Sequence, residues 1–128
     1  MEYGYQLNIS KSFDEVDKRI RLTLLEQGFG VITEIDIKST FKEKLNIDYK
    51  KFKILGACNP QLAKKALDYQ EEVAMLMPCN VIFWENNNNS VTISSIDAYK
   101  QLLLTKDSNL IELGKEVNQM LKIAINEV

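Results

Sequence analysis

Phe52-Lys53-Ile54-Leu55-Gly56-Ala57-Cys58-Asn59-Pro60 is the stretch whose reading decides the fold. It alternates with the period of a strand: Phe52, Ile54, Gly56 and Cys58 fall on one face, Leu55 and Ala57 on the other. Asn59 is a good N-cap residue. Pro60 suits the first helical position, where its missing N–H would have had no partner. The strand therefore ends at a thiol and an amide and turns straight into a helix. Leu62, Ala63, Ala66 and Leu67 form the buried side of that helix, and the small alanines predict a close approach to the sheet. A second stretch, Met77-Pro78-Cys79-Asn80-Val81, repeats the Cys-Asn pair at the start of another apolar run.

Working outward, Tyr3 to Ile9 alternates as a half-buried strand, with Tyr3, Tyr5, Leu7 and Ile9 on one face and Gly4, Gln6 and Asn8 on the other. Ser12-Phe13-Asp14-Glu15 fits a capping box, and Phe13, Val16, Ile20 and Leu24 follow at helical spacing. Gly28 takes the left-handed conformation that closes this helix. Phe29 to Asp36 reads as a second strand. Its middle, Val31-Ile32, is apolar on both faces, which predicts a place inside the sheet rather than at an edge. Asp36 caps a short helix with Ile37, Phe41 and Leu45 on one stripe, and residues 46–51 read as a loop.

On the other side, Gln70 to Met77 reads as a partial helix that must stop before Pro78. Cys79 to Glu85 and Val91 to Ile96 are strands separated by Asn86-Asn87-Asn88-Asn89-Ser90. Asparagine tolerates positive φ, so this run is a hairpin turn. Asp97 to Leu104 is a short helix. Asp107 or Ser108 caps a long one, with Leu110, Leu113, Val117, Met120, Leu121 and Ala124 on one side. No linker or repeat interrupts the chain, so residues 1–128 form a single α+β domain.

The totals exclude several function classes. Hydrophobic residues make up 45% of the 128, too many for a disordered chain. Sixteen Lys and Arg stand against eighteen Asp and Glu, a net charge of −2. That balance argues against a protein that binds nucleic acid through its phosphates. No apolar run approaches the length of a membrane span, and Met1-Glu2-Tyr3-Gly4-Tyr5 lacks the character of a signal peptide, so a cytoplasmic protein is expected. The chain has two cysteines and no histidine. It thus lacks the commonest general base and the commonest neutral metal ligand.

The four motifs carry a resemblance. Gly28-Phe29-Gly30-Val31-Ile32-Thr33-Glu34-Ile35-Asp36, Phe41-Lys42-Glu43-Lys44-Leu45, Ile54-Leu55-Gly56-Ala57-Cys58-Asn59-Pro60 and Leu76-Met77-Pro78-Cys79-Asn80-Val81 resemble, in order and spacing, the bacterial and archaeal domain-of-unknown-function family 302. The resemblance runs over nearly the whole chain. It implies a curved, mainly antiparallel sheet with helices packed on it, in a TATA-binding-protein-like architecture. It also implies a homodimer, and no established activity. The family's motif thiols fall here on Cys58 and Cys79, with Asn59 and Asn80 beside them.

The chemistry converges on that turn. A helix N-terminus favours an anion and lowers a thiol's pKa, so Cys58 reads either as a reactive thiolate with Cys79 as its resolving partner or, with Cys79, as a small buried hydrophobe. Without histidine a papain-like mechanism is out. Two thiolates suit a soft ion such as Cu(I), but zinc wants four ligands, and no metal or other cofactor is expected. Alternatively, Gly56 permits close backbone approach, and Asn59 and Asn80 add amide contacts for a small polar or anionic ligand. Glu34 and Asp36 share a strand face and read either as an acid–base pair or as a paired strand residue and a helix cap. Gly56, Cys58, Asn59, Cys79, Asn80 and Glu34 are therefore the candidate ligand-binding residues, with no metal site. Three functions stay open: a homodimeric small-ligand binding or sensing module, a thiol-dependent redox or transfer enzyme using Cys58 with Cys79, and a purely structural interaction partner in which the motif residues set a turn and a dimer seam.

Overall fold

The structure, a computed structural model, describes residues 2–128. Its elements run β1 (Gly4–Ile9), α1 (Phe13–Glu26), β2 (Gly30–Asp36), α2 (Ile37–Leu45), β3 (Phe52–Cys58) and α3 (Pro60–Tyr69). After a 3-10 segment (Glu71–Leu76) come β4 (Cys79–Glu85), β5 (Val91–Ile96) and α4 (Ala98–Leu102). A second 3-10 turn (Leu103–Thr105) leads to α5 (Ser108–Asn126). The five strands make one sheet in the order β1-β5-β4-β3-β2, antiparallel at every pairing. This is the α+β fold expected from the sequence.

Local chemistry accounts for where the helices start. The Ser12 hydroxyl accepts from the Glu15 N–H at 3.1 Å, and the Asp36 carboxylate from the Ser39 N–H at 3.0 Å. Asp107 does the same for α5. The Glu15 carboxylate lies 3.9 Å from the Lys11 ammonium. Helix α1 ends in a Schellman motif. Gly28, at φ +85°, donates to the Leu25 carbonyl, and Phe29 donates to that of Leu24.

One face of the sheet is sealed by α1 and α5. Leu55, Val81, Phe83 and Ile93 pack there against Val16, Ile20, Leu24, Leu121 and Ile125, all without solvent exposure. A smaller apolar cluster of Ala66, Val73, Leu102, Leu110 and Leu113 joins α3, the 3-10 segment, α4 and α5.

Strand β2 corrects the sequence reading. It is an edge strand, not an interior one. Its pairing with β3 slips between Val31 and Thr33, so Ile32 is an extra residue at a bulge and stays 61% exposed. A bulge breaks the alternation by which one face is told from the other, so two adjacent apolar residues need not mean burial on both sides. Tyr3, expected within the first strand, lies before β1 and is exposed.

Candidate functional site

Where β3 stops and β4 starts, the chain leaves a space. It is a cavity of about 280 Å³, bounded by the ends of these strands, by α3 and the 3-10 segment, and by α4 and α5. Ala57, Ala63, Ala66 and Ala98 line it together with leucines, valines and Phe29. It lies between the main core and the smaller cluster, because residues of both form its walls. The alanines of α3 thus leave room rather than letting the helix close down. Among the described residues no Lys, Arg, Asp or Glu lines the cavity, and its polar groups are Asn59, Gln101 and the two thiols.

The candidate residues divide. Cys58, Asn59 and Cys79 all line the cavity. Both cysteines are free. Register pairs Ala57 with Cys79, so strand alternation turns Cys58 and Cys79 toward opposite faces even as both meet the cavity at the sheet's end. Burial pushes the Cys79 thiol up to about 11, and a charge on Cys58 pushes it the same way. Cys79 is therefore a protonated thiol at neutral pH.

Asn59 is occupied with its own helix. Its Oδ1 accepts from the Leu62 N–H at 3.3 Å, and its backbone carbonyl from the Ala63 N–H at 2.8 Å. Pro60 has no N–H to offer. The start of α3 consequently keeps little donor capacity for an anion.

Gly56 lies just outside. A Cβ there would come within 2.0 Å of Thr33 Oγ1 and 2.7 Å of Pro78 Cγ, so the missing side chain makes room for protein rather than for a ligand. Asn80 pairs with Gly56 on the sheet face away from the main core and is exposed. Glu34 is elsewhere again. It pairs with Arg21 and lies 3.6 Å from Lys53, while Asp17 takes Lys53 at 2.6 Å and Arg21 at 2.8 Å. Burial alone would raise the Asp17 pKa, but hydrogen bonds from Lys53 and Arg21 outweigh it and hold the carboxyl below its ordinary value. Glu34 thus belongs to an ion network under α1, and Asp36 is a helix cap.

Sequence reasoning missed Ile32 and Gln101. The bulge re-aims Ile32 to the cavity rim, and Gln101 reaches the cavity from α4. Neither carries a spacing signal, since each owes its place to a bulge or to helix docking.

Residues 5–128 match the family described as domain of unknown function DUF302. The chain is a member of the DUF302 family. No curated protein matches it. The fold is similar to that in the crystal structure of uncharacterized conserved protein DUF302 from Bacillus stearothermophilus, with a TM-score of 0.91 at 23% identity. The match covers 99% of this chain and 98% of that one. At that identity the likeness carries the DUF302 fold and nothing about the cavity. No helix among the described residues is long and apolar enough to cross a membrane.

Proposed function

We propose that this DUF302 protein is a non-catalytic, homodimeric module that binds or senses a small ligand at the strand-to-helix turn around Cys58 and Asn59. The observation that carries the reading is the preformed cavity at that turn, which a filled core would not leave. The charged residues sit away from it, so binding without proton transfer fits better than catalysis. A melting-temperature screen against pools of small metabolites tests it. A ligand that binds the folded state raises the midpoint, and the rise should vanish when Ala63→Leu narrows the cavity. No shift with any pool counts against the reading.

The dimer rests on the sheet face opposite the main core. Phe52 and Trp84 stack there at 5.4 Å and 19°, beside Ile54, Ile82 and the exposed Ile35. An apolar stripe of this kind, next to the polar Gln6, Asn8 and Ser94, fits a second copy of the chain. Sedimentation velocity should give a dimer that Trp84→Lys converts to a monomer. A monomeric wild type ends this half of the proposal.

A thiol-dependent redox or transfer enzyme is the second reading, supported by two free thiols on one cavity. The raised Cys79 pKa weighs against Cys79 as the resolving thiol, since only a thiolate attacks. Iodoacetamide labelling followed against pH parts the two. Cys79 should stay unlabelled at pH 8 and react only as pH nears 11. Rapid labelling of Cys58 at neutral pH favours the enzyme, and a Cys58 that stays unlabelled in the folded chain removes it.

A further inference from the structure

We infer that the cavity takes an uncharged, mainly apolar molecule of about ten non-hydrogen atoms carrying one hydrogen-bonding group. The inference rests on the binding-module reading and names the class of ligand. Size comes first. The cavity, about 280 Å³, is just under twice the ~150 Å³ that is known to admit one benzene. It falls just below the ~300 Å³ at which drug-sized pockets begin.

Charge comes second. A carboxylate or phosphate taken out of water needs a cation or several donors to compensate it. Among the described residues no lysine or arginine lines the wall. At the start of α3 Pro60 has no N–H and the Leu62 and Ala63 N–H groups go to Asn59, and at the start of α4 the Ala98 N–H goes to Asn118 and the Lys100 N–H to Asp97. Cys79, held as a neutral thiol, adds no charge of its own. An anion would therefore be buried without a partner, whereas an alcohol, amide or ketone needs a single contact.

Gln101 can supply that contact. It lines the cavity and is half-buried, and among the described residues its side chain makes no hydrogen bond. It both donates and accepts, so it suits an uncharged group of either kind. Ile32 and Leu67 line the cavity while remaining 61% and 38% exposed, which marks them as its rim. An apolar rim lets an apolar molecule enter without stripping water from polar side chains. The polar end would then face Gln101, with the body against Ala63 and Ala66.

The test is an NMR titration of the full chain, read at the amides of the cavity-lining residues. The probes are 1-octanol, indole, p-xylene, sodium octanoate, inorganic phosphate, citrate and AMP. The expected result is saturable shifts with octanol and indole, and at least tenfold weaker binding of octanoate at pH 7.5. Gln101→Leu should weaken octanol severalfold and leave p-xylene, which has no polar group, unchanged. Ala63→Leu at the half-exposed wall should weaken every probe that binds. If Ala63→Leu does not fold, Leu67→Trp at the rim serves the same purpose. Phosphate, citrate or AMP shifting these amides while octanol and indole do not would overturn the ligand class and leave the binding module standing. Octanol binding that ignores both cavity variants would place it elsewhere and overturn the inference. Silence from every probe would overturn the inference and the module together.

Discussion

Under α1 and α5 the sheet is covered by large side chains that fill the space. Phe13 meets Phe83 at 5.0 Å, and Ile20, Leu24, Leu121 and Ile125 are fully buried around them. Past the ends of β3 and β4 the cover is α3, whose inward residues include Ala63 and Ala66, and the protein leaves a cavity of about 280 Å³. Both regions bury apolar residues, yet only the first gains the close contacts that dispersion requires. The contrast separates two jobs within one fold. The filled region supplies stability, and the unfilled one leaves room for something else.

Truncation should separate the regions most strongly. Phe83→Ala in the filled region should cost about 3–5 kcal/mol, because a close-packed site relaxes only partly. Leu67→Ala at the cavity rim should cost under about 1 kcal/mol, as a partly exposed side chain with few neighbours to lose. Urea denaturation of the two variants measures this, and equal costs would break the contrast.

Enlargement should separate them in sign. Ala124→Leu, where the wild-type residue is fully buried between α5 and the sheet, should destabilise by about 1–3 kcal/mol through overpacking. Ala66→Leu, whose side chain has a cavity to enter, should be neutral or stabilise by about 0.5–2 kcal/mol. A destabilising Ala66→Leu would mean that the space is smaller than it looks.

Asp17 offers the smallest effect and a pH signature. Its pKa is depressed in the folded chain below an ordinary value near 3.8. The stability it contributes is therefore complete above that value and lost as pH falls through the lower folded one. Asp17→Asn should cost about 1 kcal/mol at pH 7, for a partly exposed pair, and should flatten the loss of stability below pH 4. An unchanged acid limb in urea melts would remove Asp17 from the stabilising network, and with it the ion pairs as a support for the filled region.

Much of the fold was legible in the sequence. Ser12, Asp36, Asn59 and Asp107 announce their helices because capping is local chemistry. The boundaries of β3, β4 and β5 follow from alternation and from the turn residues between them. The cavity was not legible, since it consists of missing volume. Ala63 and Ala66 read equally well as close helix–sheet packing, and only the placing of α3 decides. Asn80 shared a motif with Cys79 but lies on the other surface, because neighbours along a strand point to opposite faces, whereas Glu34 sits on β2 in the ion network under α1, away from the cavity. Ile32 was misplaced for a related reason: a bulge leaves no trace in apolar periodicity.

Xenon pressurisation of crystals tests the contrast most directly, because xenon enters dry apolar cavities and reports their place without any assumed ligand. The expected result is xenon density among Ala57, Ala63 and Ala66 at the end of β3, and none between Phe83 and α5. Density absent from the β3 end, with α3 closed onto the sheet, would contradict the account.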